Sequence, residues 1–174
     1  MRREKLRVTL PAVIALGSNL GDRAETLRAA IAEIGQLDGV WVDEVSSFYE
    51  TDALKPEGID LDAPAYINAV ILVRSALPPH ELLLALQAIE EAHDRVRVER
   101  WGDRTLDLDI VTFASLVQHD ETLTLPHPRA FERAFVLAPW YEIDPGAEIP
   151  GRGPIGPLLA ATYESPRLFA RWSS

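Results

Sequence analysis

Tyr66-Ile67-Asn68-Ala69-Val70-Ile71-Leu72-Val73-Arg74 decides how the rest of the chain is read. The run is rich in β-branched residues and reads as a central strand. Before it, Leu54 to Pro64 carries two prolines, a glycine and three acidic residues, the composition of a loop. Further back, Val40 to Glu50 alternates as a strand, with Val40, Val42, Val45 and Phe48 as its apolar members. Leu27, Ile31, Ile34 and Leu37 recur at helical spacing, Asp22 and Glu25 form a capping-box-like start, and Gly39 marks the end. Pro11 to Leu16 is a short apolar strand closed by Gly17. After the central run, Pro78 and Pro79 open a second helix whose core face is Leu82, Leu83, Leu86 and Ile89, ending near His93. Arg95 to Arg104 has no period and reads as a long loop, and Leu106 to Phe113 is the fourth strand. A third helix is expected from His127 and Pro128 to about Leu137, then a Pro/Gly-rich tail, Asp144 to Pro157, around one short strand.

The order strand, helix, strand, strand, helix, strand predicts an α+β fold, a ferredoxin-like βαββαβ two-layer sandwich with an added C-terminal helix and short strand extension. Residues 1–11 are read as an N-terminal extension and 12–174 as a single domain. The basic start and apolar Val8 to Leu16 mimic a signal peptide, but Glu4 and Pro11 interrupt it and no small-x-small cleavage site follows. A cytoplasmic protein is expected, with no membrane partner. The absence of cysteine excludes disulfides, thiolate metal sites and thiol catalysis. A net charge of −10 disfavours nucleic acid and anionic membranes, yet leaves room for a small polyanion in a local basic pocket.

Positive charge concentrates in one place. Arg95, Arg97, Arg100 and Arg104 surround Trp101 and Gly102 and precede Asp107-Leu108-Asp109-Ile110. On a strand the two carboxylates share a face with β-carbons ~6–7 Å apart. That spacing suits two Mg²⁺ ions about 4 Å apart, as two-metal phosphoryl-transfer sites require. An isolated D-x-D is by itself more often a solvated strand face. Arginine forks donate in parallel to phosphate oxygens and stay charged, although any one of these arginines could equally pair with Glu90, Glu91, Asp94, Glu99 or Asp103. Tyr66 and Asn68 also share a strand face, and with Trp101 and Phe135 they could frame a flat aromatic ligand. His127, between two prolines, and Arg133 offer further phosphate contacts. Gly17-Ser18-Asn19-Leu20-Gly21 lacks the lysine of a P-loop, so its glycines are read as turn-forming.

These segments resemble the 6-hydroxymethyl-7,8-dihydropterin pyrophosphokinases of folate biosynthesis. The resemblance is carried by Ala15 to Gly21, Ser46 to Tyr49 with Thr51, Tyr66 to Ala69, and the block from Arg95 through Trp101 to Ile110. Leu125 to Pro128 and Arg133 with Phe135 complete it. It implies Mg²⁺-dependent transfer of pyrophosphate from ATP to the pterin hydroxymethyl group, releasing AMP, with the chain acting as a monomer. Asp107 and Asp109 would hold two Mg²⁺, and Arg95, Arg97 and Arg104 would clamp phosphates with Arg100 beside them. Gln87, Glu90, Ile110, Thr124, His127 and Arg133 would contact the nucleotide. Thr51, Leu54, Tyr66, Asn68, Trp101 and Phe135 would hold the pterin. The chain departs from the family pattern at Asp52 and Asp103, where proline is usual, and in a stretch one residue shorter between Arg97 and Arg100.

Two other classes compete with this reading. Nucleotidyl transfer or phosphoester hydrolysis at the same carboxylates would release pyrophosphate or phosphate. A ferredoxin-like sensor or RNA-binding module would consume no ATP, and an RNA-binding sheet face would be basic.

Overall fold

The computed structural model describes residues 7–19, 21–55, 58–60, 65–94 and 105–173, with the side chains of 53–55 and 58–60 left out of the description. In chain order the elements are β1 (Leu10–Ser18), α1 (Arg23–Gln36), β2 (Val40–Val45), β3 (Phe48–Thr51), β4 (Ala53–Lys55), β5 (Gly58–Asp60), β6 (Tyr66–Ser75), α2 (Pro79–Asp94) and β7 (Asp107–Phe113). There follow β8 (Gln118–His119), β9 (Thr124–Leu125), a 3₁₀ turn (Ala130–Glu132), α3 (Ala134–Ile143), β10 (Glu148–Ile149), β11 (Gly153–Pro154), α4 (Ile155–Ala160) and β12 (Arg167–Ala170).

A six-stranded sheet runs β12-β3-β6-β1-β7, with β2 also paired to β6, and all its pairings are antiparallel. The central run Tyr66 to Ser75 is bonded on both sides, to β1 along its length and to β2 and β3 on the other edge. Strand alternation divides its side chains. Ile67, Ala69, Ile71 and Val73 join Ile14, Leu16, Leu108 and Ile110 in a core packed by Leu27, Ile31 and Ile34 of α1 and by Leu82, Leu86 and Ile89 of α2. Leu83 is half-buried at its margin. Asp22 accepts the Glu25 backbone N–H at 3.2 Å, the N-cap expected for α1.

Several local expectations are corrected. The strand over Val40 to Glu50 is two strands, because the ladder breaks at Ser46. There the Ser46 N–H donates to Val70 carbonyl and the Ser46 hydroxyl accepts the Val70 N–H, both at 2.9 Å. The side chain thus replaces a main-chain carbonyl, and β6 keeps its bonds across the break. The loop expected over Leu54 to Pro64 contains the β4–β5 hairpin. The third helix begins at Ala134 rather than His127, after the 3₁₀ turn, and it includes Pro139. The tail from Asp144 to Pro157 holds a β10–β11 hairpin and the start of α4 in place of one short strand, and β12 follows beyond it.

The added C-terminal elements do more than extend a two-layer sandwich. Val136, Leu137 and Trp140 of α3 and Ile155 of α4 pack on Val13, Val70 and Val111, the opposite face of the sheet. Glu142 pins α3 to the strand break by accepting the Ser47 N–H at 2.6 Å and the Tyr49 hydroxyl. Burial and that carboxylate push the Tyr49 phenol up to about 12. This second layer covers only part of its face; the uncovered part is the cleft. No helix among the described residues is long and apolar enough to cross a membrane.

Candidate active site

The cleft is built on a step down in side-chain size. On the α3 side of the sheet, β1 presents Val13, then Ala15, then Gly17. Gly17 lies between Asn68 on β6 and Asp107 on β7, and Ala15 lies between Val70 and Asp109. Small residues on the middle strand therefore open a trench between the residues of its two neighbours. A Cβ on Gly17 would meet Asn68 Oδ1 at 3.1 Å, tighter than a comfortable contact. The resulting cavity, about 1730 Å³, is bordered by Thr51, Tyr66, Asn68, Asp107, Asp109, Arg133 and Phe135.

Asp107 and Asp109 both face this cleft, while Leu108 and Ile110 are buried in the helix-covered core. The alternation expected of the D-x-D pair is what the strand displays. Asp109 is exposed and Asp107 half-buried. Such a pair leaves most positions around a divalent cation to water and phosphate oxygens, which suits Mg²⁺. No cluster of three or more His, Cys, Asp or Glu side chains able to hold a metal forms among the described residues. Across the trench, the Asn68 amide donates to Thr51 Oγ1 at 3.0 Å. That bond turns the amide and leaves its oxygen on the Gly17 side.

Arg133 lies over the Phe135 ring at 5.5 Å and also borders the cleft. Three arginines there escaped sequence reasoning: Arg129, paired with Glu132 at 2.8 Å, Arg152, stacked 3.7 Å over the Phe131 ring, and Arg167. Arg152 sits on the β10–β11 turn, a position without local signal. Residues 161–165 and Arg167 also border the cleft, again without a local signal.

A second group of expected residues stands along the free edge of β7 instead. Glu90 Oε2 accepts the Leu108 N–H at 3.0 Å, satisfying an outward-facing donor of an edge strand. His127 donates its backbone N–H to Val111 carbonyl at 2.8 Å, which brings its ring beside this edge. Gln87 is exposed on α2, Ile110 is buried on the opposite face from the cleft, and Thr124 bonds His119 at 2.8 Å. These five, Glu90, His127, Gln87, Ile110 and Thr124, do not border the cavity. His127 Nδ1 accepts the Arg129 N–H at 3.2 Å, so a neutral ring carries its proton on Nε2. Burial lowers the imidazole pKa; Asp109 pulls it up, while Arg133 and Arg129 add to the lowering. Arg95, Arg97, Arg100, Trp101 and Arg104 lie outside the described residues, as does the Leu54 side chain.

Known proteins resemble the chain in sequence and in fold. The family model described as 7,8-dihydro-6-hydroxymethylpterin-pyrophosphokinase (HPPK) matches residues 13–145. The 2-amino-4-hydroxy-6-hydroxymethyldihydropteridine pyrophosphokinase of Bacillus subtilis is 48% identical over 132 residues, 76% of this chain and 77% of that protein. Its namesake from Haemophilus influenzae is 44% identical over 134 residues, 77% of this chain and 81% of that protein. Among solved structures, wild-type Plasmodium falciparum HPPK-DHPS superposes with a TM-score of 0.66 at 14% identity, over 88% of this chain and 44% of that one. An HPPK-DHPS solved in complex with substrates gives 0.69 at 15% identity, covering 88% of this chain and 44% of the other. The chain thus spans under half the length of those two-part proteins, and at such identity they speak for the fold alone. With the family model spanning most of the chain and relatives above 40% identity, the chain belongs to the 7,8-dihydro-6-hydroxymethylpterin-pyrophosphokinase family.

Proposed function

We infer that the chain transfers pyrophosphate from ATP to the hydroxymethyl group of 6-hydroxymethyl-7,8-dihydropterin, releasing AMP, in folate biosynthesis. The observation that carries this reading is the meeting of Asp107 and Asp109 with Thr51, Tyr66, Asn68 and Phe135 in one cleft of a chain of this family. We read residues 12–174 as one domain on a ferredoxin-like βαββαβ plan, acting as a monomer in the cytoplasm. A net charge of −10 supports small-molecule partners over nucleic acid or membrane.

On this reading the Asn68 amide and Thr51 hydroxyl meet the hydrogen-bonding edge of the pterin, and Tyr66 and Phe135 frame it, with Leu54 and Trp101 completing the pocket. Arg133 and the Nε2–H of His127 donate to phosphate oxygens. Gln87, Glu90 and Thr124 approach the nucleotide from the β7 edge. Ile110 contributes through its main chain there, since its backbone points outward like that of Leu108 two residues before. Arg95, Arg97, Arg100 and Arg104 supply the charge that meets the transferring group.

The hydroxymethyl oxygen attacks the β-phosphorus in line; a new oxygen–phosphorus bond forms, and the bridge to the α-phosphate breaks to leave AMP. Asp107 and Asp109 suit two Mg²⁺, which when bound would screen the polyphosphate and lower the pKa of the attacking hydroxyl. The aromatic frame with Thr51 and Asn68 holds the pterin, Arg133 and His127 hold the polyphosphate, and positioning supplies much of the acceleration. The test is a product assay with ATP, Mg²⁺ and the pterin alcohol. AMP and pterin diphosphate in equal amounts are expected; release of free pyrophosphate, phosphate or ADP overturns the reading.

A further inference from the structure

The C-terminal strand β12 lies outside the family-matched stretch, yet its first residue, Arg167, borders the cleft. Arg167 stands opposite Glu50 in the β12–β3 ladder. One guanidinium nitrogen donates to Glu50 Oε1 at 3.3 Å and to Asp52 Oδ1 at 3.1 Å. These carboxylates flank Thr51, the residue that accepts the Asn68 amide. Alternation turns Thr51 toward the cleft and Glu50 toward α1. There Glu50 also meets Arg23 of α1 at 3.4 Å, and Arg23 donates to the carbonyl of Ala65, the residue before Tyr66. The charges Arg23, Glu50, Arg167 and Asp52 therefore tie α1, β3, β12 and the start of β6 together, with Arg167 and Asp52 themselves on the cleft border.

A lone exposed ion pair holds little, and the Arg167 side chain is 53% exposed. Here, however, one guanidinium spans two carboxylates that would otherwise repel across Thr51. Cross-strand pairing already sets its direction, and Glu50 is held from the other side by Arg23. Removing Arg167 takes this contact from both neighbours of Thr51 at once, leaving Glu50 to Arg23 and Asp52 without its guanidinium.

We propose that Arg167 is a positioning residue for the flat heteroaromatic substrate: by holding Glu50 and Asp52 it keeps Thr51 on Asn68, and so keeps the amide aimed at the ring edge. This rests on the pterin reading above. Arg167 acts through Asp52 and Thr51, so its loss weakens pterin binding while chemistry on bound substrate continues.

Steady-state kinetics of Arg167→Gln, Arg167→Lys and Asp52→Asn test it. Arg167→Gln raises the KM for the pterin about three- to tenfold, with kcat and the ATP KM within about twofold. Arg167→Lys recovers much of the loss, and raising the salt moves the wild-type pterin KM toward that of Arg167→Gln while barely moving the variant. Asp52→Asn produces a similar rise, and the double variant is no worse than the poorer single one. An unmoved pterin KM in Arg167→Gln, or an equal rise in the ATP KM, overturns the proposal. Should Arg167→Gln fold poorly, an unmoved pterin KM in Asp52→Asn overturns it equally. A wild type that forms no AMP with the pterin overturns the function reading and this inference with it; a working wild type with an unmoved variant overturns only the inference.

Discussion

The two faces of the same three strands make opposite use of the same backbone. Toward α1 and α2, β1, β6 and β7 present Ile14, Leu16, Ile67, Ala69, Leu108 and Ile110, each at most 3% exposed. Toward the cleft, the alternate residues are Ala15, Gly17, Tyr66, Asn68, Asp107 and Asp109. One face is filled to exclude water; the other steps down in size so that ligands and water enter. A strand offers this division at no cost in backbone geometry, because its side-chain period is two. Asp109 and Leu108 are neighbours in sequence, yet one faces the cleft and the other the packed core.

The sharpest way to break the comparison is at that pair. Asp109→Ala, like Asp107→Ala, lowers Mg²⁺-dependent AMP formation on the order of a thousandfold, since transition-state charge loses its counter-ions. The melting temperature of either variant stays near that of the wild type; unchanged turnover in a product assay removes the metal assignment. Leu108→Ala reverses the pattern. Its side chain is 3% exposed among core residues, so chemical denaturation reads a loss of about 2–5 kcal/mol. The kcat of the folded fraction stays within about twofold, and a thousandfold loss there would erase the distinction between the faces.

Gly17→Ala tests the trench itself. The added methyl meets Asn68 Oδ1 at 3.1 Å, so the amide shifts by tenths of an ångström. The pterin KM then rises about fivefold with the ATP KM unmoved, a smaller form of the loss that larger misplacements cause. Calorimetric titration with the pterin in the presence of a non-hydrolysable ATP analogue reads the same change. The smallest effect is expected at the β7 edge. Burial lowers the folded-state pKa of His127 from its ordinary 6.5, so the unfolded chain takes up the proton first. That contribution to stability is present above the unfolded value and is lost as pH falls below it. His127→Gln thus flattens the fall in stability as the pH drops below the ordinary imidazole value of 6.5; an unchanged slope refutes the assignment.

Much of the site was legible because it is local. Asp107 and Asp109, and Tyr66 and Asn68, are spaced by two on strands recognisable from their own composition, so the shared face follows from the pleat. The Asp22 cap and the apolar faces of α1 and α2 follow from helical spacing in the same way. The break at Ser46 was not legible, since it depends on a hydroxyl meeting Val70 more than twenty residues away. The hairpin of β4 and β5 hides in a composition that reads as loop, and α3 starts seven residues late because the 3₁₀ turn intervenes. Asp52 was visible only as a departure from the family pattern; its partner Arg167 lies 115 residues further on.

By itself, the sequence determined the central strands, the first two helices, the paired carboxylates and the family, each carried by motifs whose residues lie within a few positions of one another. Tertiary structure decided what stands beside what. It set Gly17 between Asn68 and Asp107, brought α3 onto the second sheet face and placed His127 at the β7 edge. It also carried Arg167 back to the two carboxylates that flank Thr51. Periodicity states which way a side chain points, but strand order and register choose its neighbours, and these are settled only when the whole sheet closes over its core.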